Sequence, residues 1–334
     1  MIIFRKRVVF SVVALLVILS YFGYKNREYV QQLPIGCAFK AKTLCDDVFV
    51  SGRDPQTIER EDLGFSPLFK IFKAKIDRDD KSVTCSFLGL GLFKKKAVFV
   101  GQLGCILLSG VPEEMIRAWR PAIPLPEPAN AKAVPWPMGD RLPQCQPPAN
   151  IDMAKLNSAI DHIFIGKKLK ERLYTRALLI IYDGQLIAER YGPDITKDTP
   201  LLSWSLAKSV TNAVVGILKM KGKLNLYEPV PIPEWQKAGD PRQAITLDQL
   251  LRMSSGLEWF EAYAERPVSD VNIMLFLKPD MAAFAAAKGL ANQPGNIWHY
   301  SSGATNLIWL TVVKKKIVFP PLFSKDTVSY CSRA

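Results

Sequence analysis

Hydrophobic and polar positions alternate differently in successive parts of this chain, and each pattern predicts a different element. From Val8 to Phe22 every residue except Ser11 and Ser20 is apolar, with Arg5-Lys6-Arg7 before the run and Lys25 and Arg27 after it. The run is slightly short for the roughly 20 residues of a spanning helix and long for a leader core, and no small-x-small cleavage site follows directly. It predicts an uncleaved, single-pass inner-membrane anchor over residues 1–24, basic end in the cytoplasm, with the remainder facing the periplasm. Residues 25–109 hold shorter apolar segments, notably Val83 to Leu92 and Ala97 to Leu108 on either side of Lys94-Lys95-Lys96, and predict a small β-rich segment. Residues 110–149 carry Pro121, Pro124, Pro126, Pro128, Pro135, Pro137 and Pro143, among others. Regular helix and central strand tolerate proline poorly, so this stretch predicts an extended linker.

Periodicity returns at Asn150. Ile151 to Phe164 predicts a helix, and the apolar runs Thr175 to Ile181 and Gln185 to Arg190 meet at Asp183-Gly184, a dipeptide suited to a tight hairpin turn. Ser203 to Met220 predicts a helix whose buried stripe is Leu206, Val210, Ala213, Val214 and Leu218. Thr246 caps a short helix to Met253. Asp270 to Phe276, Met281 to Ala287 and Ser301 to Val312 read as further helices. Helices around an antiparallel hairpin define an α+β class for residues 150–313.

Ser205-Leu206-Ala207-Lys208 carries the clearest chemistry. Residues three apart on a helix are neighbours, so the Lys208 amine can reach the Ser205 hydroxyl, a nucleophile beside a candidate base. The helix start adds free N–H groups and a positive dipole end, which favour developing negative charge. Downstream follow Ser254-Ser255-Gly256-Leu257, Pro294-Gly295 and Tyr300-Ser301-Ser302-Gly303.

These motifs, in this order, resemble the serine β-lactamase and penicillin-binding-protein superfamily, most closely its class C-like esterases, D-Ala-D-Ala carboxypeptidases and 6-aminohexanoate-oligomer hydrolases. The resemblance implies that Ser205 is acylated by an amide or ester substrate, that Lys208 helps deprotonate it, and that Tyr300 shuttles the proton. Ser302 would be the hydrogen-bonding neighbour of the tyrosine, His299 would line the substrate pocket, and the Ser205 N–H would supply half of an oxyanion hole. No metal or organic cofactor is implied. Substrate remains open, because β-lactam, peptide, ester and amide-oligomer hydrolases share these motifs.

The family's third motif, K-T-G or a variant on a later strand, has no match here. Residues 314–334, beginning Lys314-Lys315-Lys316, show no likeness to the family. The expectation is therefore an incomplete, C-terminally truncated β-lactamase-like domain, its antiparallel sheet lacking strands, with impaired turnover. The alternative is a non-catalytic remnant or a membrane-attached peptidoglycan-binding module.

A net charge of +13 permits nucleic-acid or anionic-surface contact, yet no nucleic-acid motif accompanies it, and the excess partly flanks the anchor and the tail. Two histidines among scattered carboxylates suggest no metal site. In an oxidising compartment the cysteines would form disulfides. Cys85 with Cys105 is the expected pair, on the two segments flanking the lysine run. Cys37 with Cys45 is the next candidate.

Overall fold

The computed structural model describes residues 27–118, 130–136, 139–142, 148–165, 173–263, 266 and 268–314. The expected anchor over 1–24, the tail over 315–334 and part of the proline-rich segment lie outside them. Among the described residues no helix is long and apolar enough to cross a membrane.

The first unit is mixed rather than β-rich. Helix α1 (Arg27–Phe49) lies across a sheet whose strands follow one another in antiparallel order: β1 (Phe72–Asp77), β2 (Ser82–Phe87), β3 (Leu92–Phe99) and β4 (Cys105–Leu107). Cys37, Ala41, Leu44, Cys45 and Val48 form the buried stripe of α1 against that sheet. Their spacing is helical, but small residues and Pro34 within the helix disguise it, since proline argues against a helix interior.

The expected disulfide is corrected. Cys105 pairs with Cys45 of α1, whereas Cys85 and Cys37 are buried free thiols. The misreading began with the turn. Lys94, Lys95 and Lys96 lie inside β3, and the connection between β2 and β3 runs through Leu88-Gly89-Leu90-Gly91, where Leu88, Gly89 and Gly91 take positive φ. Lys96 is held by Asp80 and Glu113, both at 2.9 Å, so this lysine serves as a paired strand residue. Glu113 opens α3 (Glu113–Ala118), a short helix within the stretch expected to be an extended linker.

Buried charge joins this unit to the second. Lys40, 4% exposed, pairs with Glu59 of α2 (Pro55–Glu61) at 2.6 Å and donates to the Phe69 carbonyl. Arg53 contacts Asp47, Glu61 and Asp62, and Arg176 reaches across to Asp62 through two 2.9 Å hydrogen bonds. Burial is the main cause that pushes the Asp47 carboxyl up from 3.8 to about 6; nearby Asp62 adds to it and Arg53 opposes it. A carboxyl raised on folding binds more protons folded than unfolded between those values, so its contribution to stability falls as pH rises from about 4 to about 6. Urea unfolding across that window should show this component in the wild type and lose it in Asp47→Asn; an unchanged slope in the variant would contradict the assignment.

The second unit begins with α4 (Met153–Ile165) and the hairpin of β5 (Ala177–Tyr182) and β6 (Gln185–Tyr191). Asp183 and Gly184 both take positive φ, as a two-residue turn matched to strand twist requires. Among the described residues, β5 and β6 pair only with each other. Helices α5 (Ala207–Met220), α6 (Leu247–Leu251), α7 (Asp270–Leu277), α8 (Met281–Ala286) and α9 (Ser302–Lys314) follow. They enclose a core that includes Trp235, Leu250, Met274 and Leu307, all fully buried. Thr246 opens α6 with a reciprocal cap, accepting from the Gln249 N–H while the Gln249 side chain accepts from its own.

The two units share an apolar seam: Ile35 and Ala38 of α1 pack with Phe276 of α7, and Ser109 donates to the Phe276 carbonyl at 3.1 Å. Phe39 bridges it, its ring 5.6 Å from that of Phe276 and 6.2 Å from that of Trp204.

Candidate functional site

Ser205 sits in a 3₁₀ turn, Trp204–Leu206, that leads directly into α5. Trp204 takes φ +43°, a left-handed conformation unusual for a bulky side chain. Its ring is stacked near Phe39, and the turn is closed by the Leu206 N–H donating to the Ser203 carbonyl. Ser205 is exposed, and Lys208 one turn on is half-buried.

The helix itself is turned relative to expectation. Thr211, Val214, Val215 and Leu218 are buried, whereas Leu206 and Val210 are exposed. Apolar residues occupy more than one face of α5, so periodicity alone could not fix its rotation. Packing did: Trp309 of α9 donates to the Thr211 hydroxyl at 3.1 Å, and this contact ties α5 to α9 one turn beyond the candidate site.

The Lys208 ammonium nitrogen lies 3.1 Å from Ser205 Oγ and 3.1 Å from Ser302 Oγ. Lys208 and Ser302, 94 positions apart, are thus brought together. Ser302 is the first residue of α9, and its close approach depends on Gly303, where a Cβ would stand 2.7 Å from the Trp259 ring. Tyr300 presents its ring 5.1 Å from the Lys208 amine. Its approach is set by the segment starting at Ser254: the Ser254 carbonyl accepts from Gly295, the Met253 carbonyl from His299, and the Gly256 carbonyl from Ala291 and Asn292. Gly256 has φ +75°, and a Cβ there would lie 2.2 Å from the Asn292 carbonyl. The Ser-Ser-Gly-Leu motif therefore works as a backbone clamp on the strand-like approach to Tyr300.

His299 is exposed, and its Nε2 is 2.8 Å from the Trp259 carbonyl, which can only accept, so that nitrogen carries the proton.

One residue of the constellation escaped the sequence reading. Glu261 accepts from the Ser302 N–H at 2.9 Å, the Ser302 hydroxyl at 2.7 Å, Trp259 Nε1 at 2.5 Å and the Tyr263 phenol at 2.6 Å. Burial and the Glu261 carboxylate push the Tyr263 phenol well above its ordinary range, so it stays a donor at neutral pH. A carboxylate between two aromatics, Trp259 and Tyr263, four residues past the Ser-Ser-Gly-Leu motif, carries no motif of its own. Among the described residues no group of three His, Cys, Asp or Glu side chains is placed to hold a metal.

A hydroxyl and an amine at hydrogen-bond distance one helical turn apart, with Ser302 closing from the start of a second helix and Tyr300 from the segment before it, form a candidate nucleophile-and-base arrangement. Residues 165–314 match the sequence model of the Beta-lactamase family, which supports a serine β-lactamase-like superfamily for this segment. A solved protein from Bacillus anthracis, provisionally described as a 6-aminohexanoate-dimer hydrolase, is similar at 22% identity over 45% of this chain, with a TM-score of 0.36. The chain spans 43% of that protein's length.

Proposed function

We propose that this chain is a serine hydrolase that opens an amide or ester through an acyl-enzyme on Ser205. The observation that carries the reading is the Lys208 amine, 3.1 Å from the Ser205 hydroxyl and fixed from its other side by Ser302. Ser205 Oγ attacks the substrate carbonyl carbon while its proton passes to Lys208, which acts as a neutral amine at that moment. The proton then passes from the Lys208 ammonium by way of the Tyr300 phenol, whose ring lies 5.1 Å from that amine, to the leaving nitrogen or oxygen. Water then releases the acyl group by the same steps in reverse order. In this reading the Ser205 backbone N–H supplies one donor to the developing oxyanion; one such donor is worth about 100- to 1000-fold in other hydrolases.

The division into an anchor over 1–24, a segment over 25–109, a linker over 110–149 and a hydrolase unit over 150–313 belongs to the same reading, as does a periplasmic site held at the inner membrane. Support comes from the Val8 to Phe22 run and from the Cys45–Cys105 disulfide, a bond that persists in oxidising compartments.

Intact-mass analysis after incubation with a fluorophosphonate, and separately with a penicillin, tests the chemistry. A stoichiometric adduct on the full chain, absent in Ser205→Ala, is the expected result. Folded wild-type protein that takes up neither reagent would overturn the acyl-enzyme reading.

A further inference from the structure

Glu261 lies one hydroxyl away from the candidate base, and its contacts fix more than position. We propose that Glu261 is a positioning residue that sets the direction of the hydrogen bonds around Lys208, an inference that rests on the reading of Ser205 as the nucleophile. A carboxylate only accepts, and Glu261 satisfies both of its oxygens with four donors: the Ser302 N–H and O–H, Trp259 Nε1–H and Tyr263 O–H.

The Ser302 hydroxyl has a single proton, and that proton is committed to Glu261 at 2.7 Å. Toward Lys208 its oxygen is left only as an acceptor. A neutral lysine amine has two N–H bonds and one lone pair. Donating one N–H to Ser302 at 3.1 Å turns the amine so that its lone pair can face Ser205 Oγ at the same distance. The proton can then move from Ser205 Oγ to Lys208 Nζ as the bond from Oγ to the carbonyl carbon forms. The resulting ammonium donates to both serine oxygens, and the Glu261 charge behind Ser302 offsets it.

With the Ser302 proton unassigned, the hydroxyl could donate to Lys208 and occupy the lone pair that the reaction needs. Glu261→Gln keeps the side-chain shape but places an N–H₂ donor where an acceptor stood, so it permits this reversed arrangement. The two helices remain joined by Trp309 and Thr211 whichever way that hydroxyl points.

The test is a double-mutant cycle on the rate of fluorophosphonate labelling of the full chain at neutral pH, with Glu261→Gln, Ser302→Ala and the double variant, each shown by circular dichroism to be folded. Each single change should slow labelling by about 10- to 100-fold, the range for partners that orient a reacting group. The double variant should be no slower than Ser302→Ala alone, because Glu261 acts through Ser302. Losses that multiply in the double variant would mark an independent structural role and overturn the proposal. So would wild-type labelling by folded Glu261→Gln. A wild-type chain that gives no adduct would instead remove the nucleophile reading, and this proposal with it.

Discussion

Lys208→Met is expected to label with fluorophosphonate about 100- to 10,000-fold more slowly than the wild type, the span that a positioned general base supplies. Ser205 has no other amine or imidazole at hydrogen-bond distance among the described contacts, so its proton has no alternative recipient of suitable basicity. Methionine preserves the unbranched stem and the helix propensity of lysine, and Lys208 is only half-buried. The folded state should therefore survive, with thermal unfolding within a few degrees of the wild type. That separates the chemical effect from a stability effect. Labelling of Lys208→Met at the wild-type rate would show that Ser205 is activated by something else, with Tyr300 the first group to examine.

Cys45→Ser with Cys105→Ser lowers stability by about 4 kcal/mol, the largest change expected from any substitution outside the site. The bond closes a loop of 60 residues that contains α2 and the first three strands. Restricting an unfolded loop of that size gives about 4 kcal/mol in the chain-entropy description, and removal of native disulfides falls at about 2–5 kcal/mol. Both cysteines are buried, Cys45 completely, so serine also places hydroxyls in an apolar setting. Urea unfolding of the two forms measures the difference. The comparison is best made with Cys37→Ala/Cys85→Ala, which removes the buried thiols but no covalent link and should cost clearly less per pair. An equal loss in both double variants would mean that packing, rather than the crosslink, supports the first unit.

The first unit bears on the site through the seam at Phe39. That ring touches both Phe276 and Trp204, and Trp204 adjoins Ser205 in a strained turn. Weakening the disulfide can therefore be felt at the nucleophile as well as in global stability.

Much of this was legible in the residues alone. Asp183-Gly184 specified its hairpin because a two-residue turn needs positive φ at both positions, and few other pairs accept that at low cost. Thr246 specified a helix start because its side chain satisfies a free N–H group within the first turn. Ser205 and Lys208 specified their own contact, since a helical turn puts residues three apart side by side. Helices Asp270–Leu277, Met281–Ala286 and Ser302–Lys314 fall within a residue or two of the expected spans. Each of these signals is local, and local geometry is what a short stretch of sequence encodes.

Tertiary structure decided the rest. Which cysteine meets Cys105 depends on α1 lying across the sheet, and the small residues of that helix gave no strong periodic signal. The rotation of α5 depends on the Trp309 contact, because apolar residues on more than one face leave it undetermined. Glu261 acquires its place only when α9 brings Ser302 to within 2.7 Å of it. The sequence by itself determined the contact between Ser205 and Lys208, the hairpin and the bounds of the later helices from Asp270 onward, all set by interactions between residues a few positions apart. The disulfide, the buried face of α5 and the chain from Lys208 through Ser302 to Glu261 were decided by the fold, because contacts between residues tens of positions apart exist only once the elements have packed.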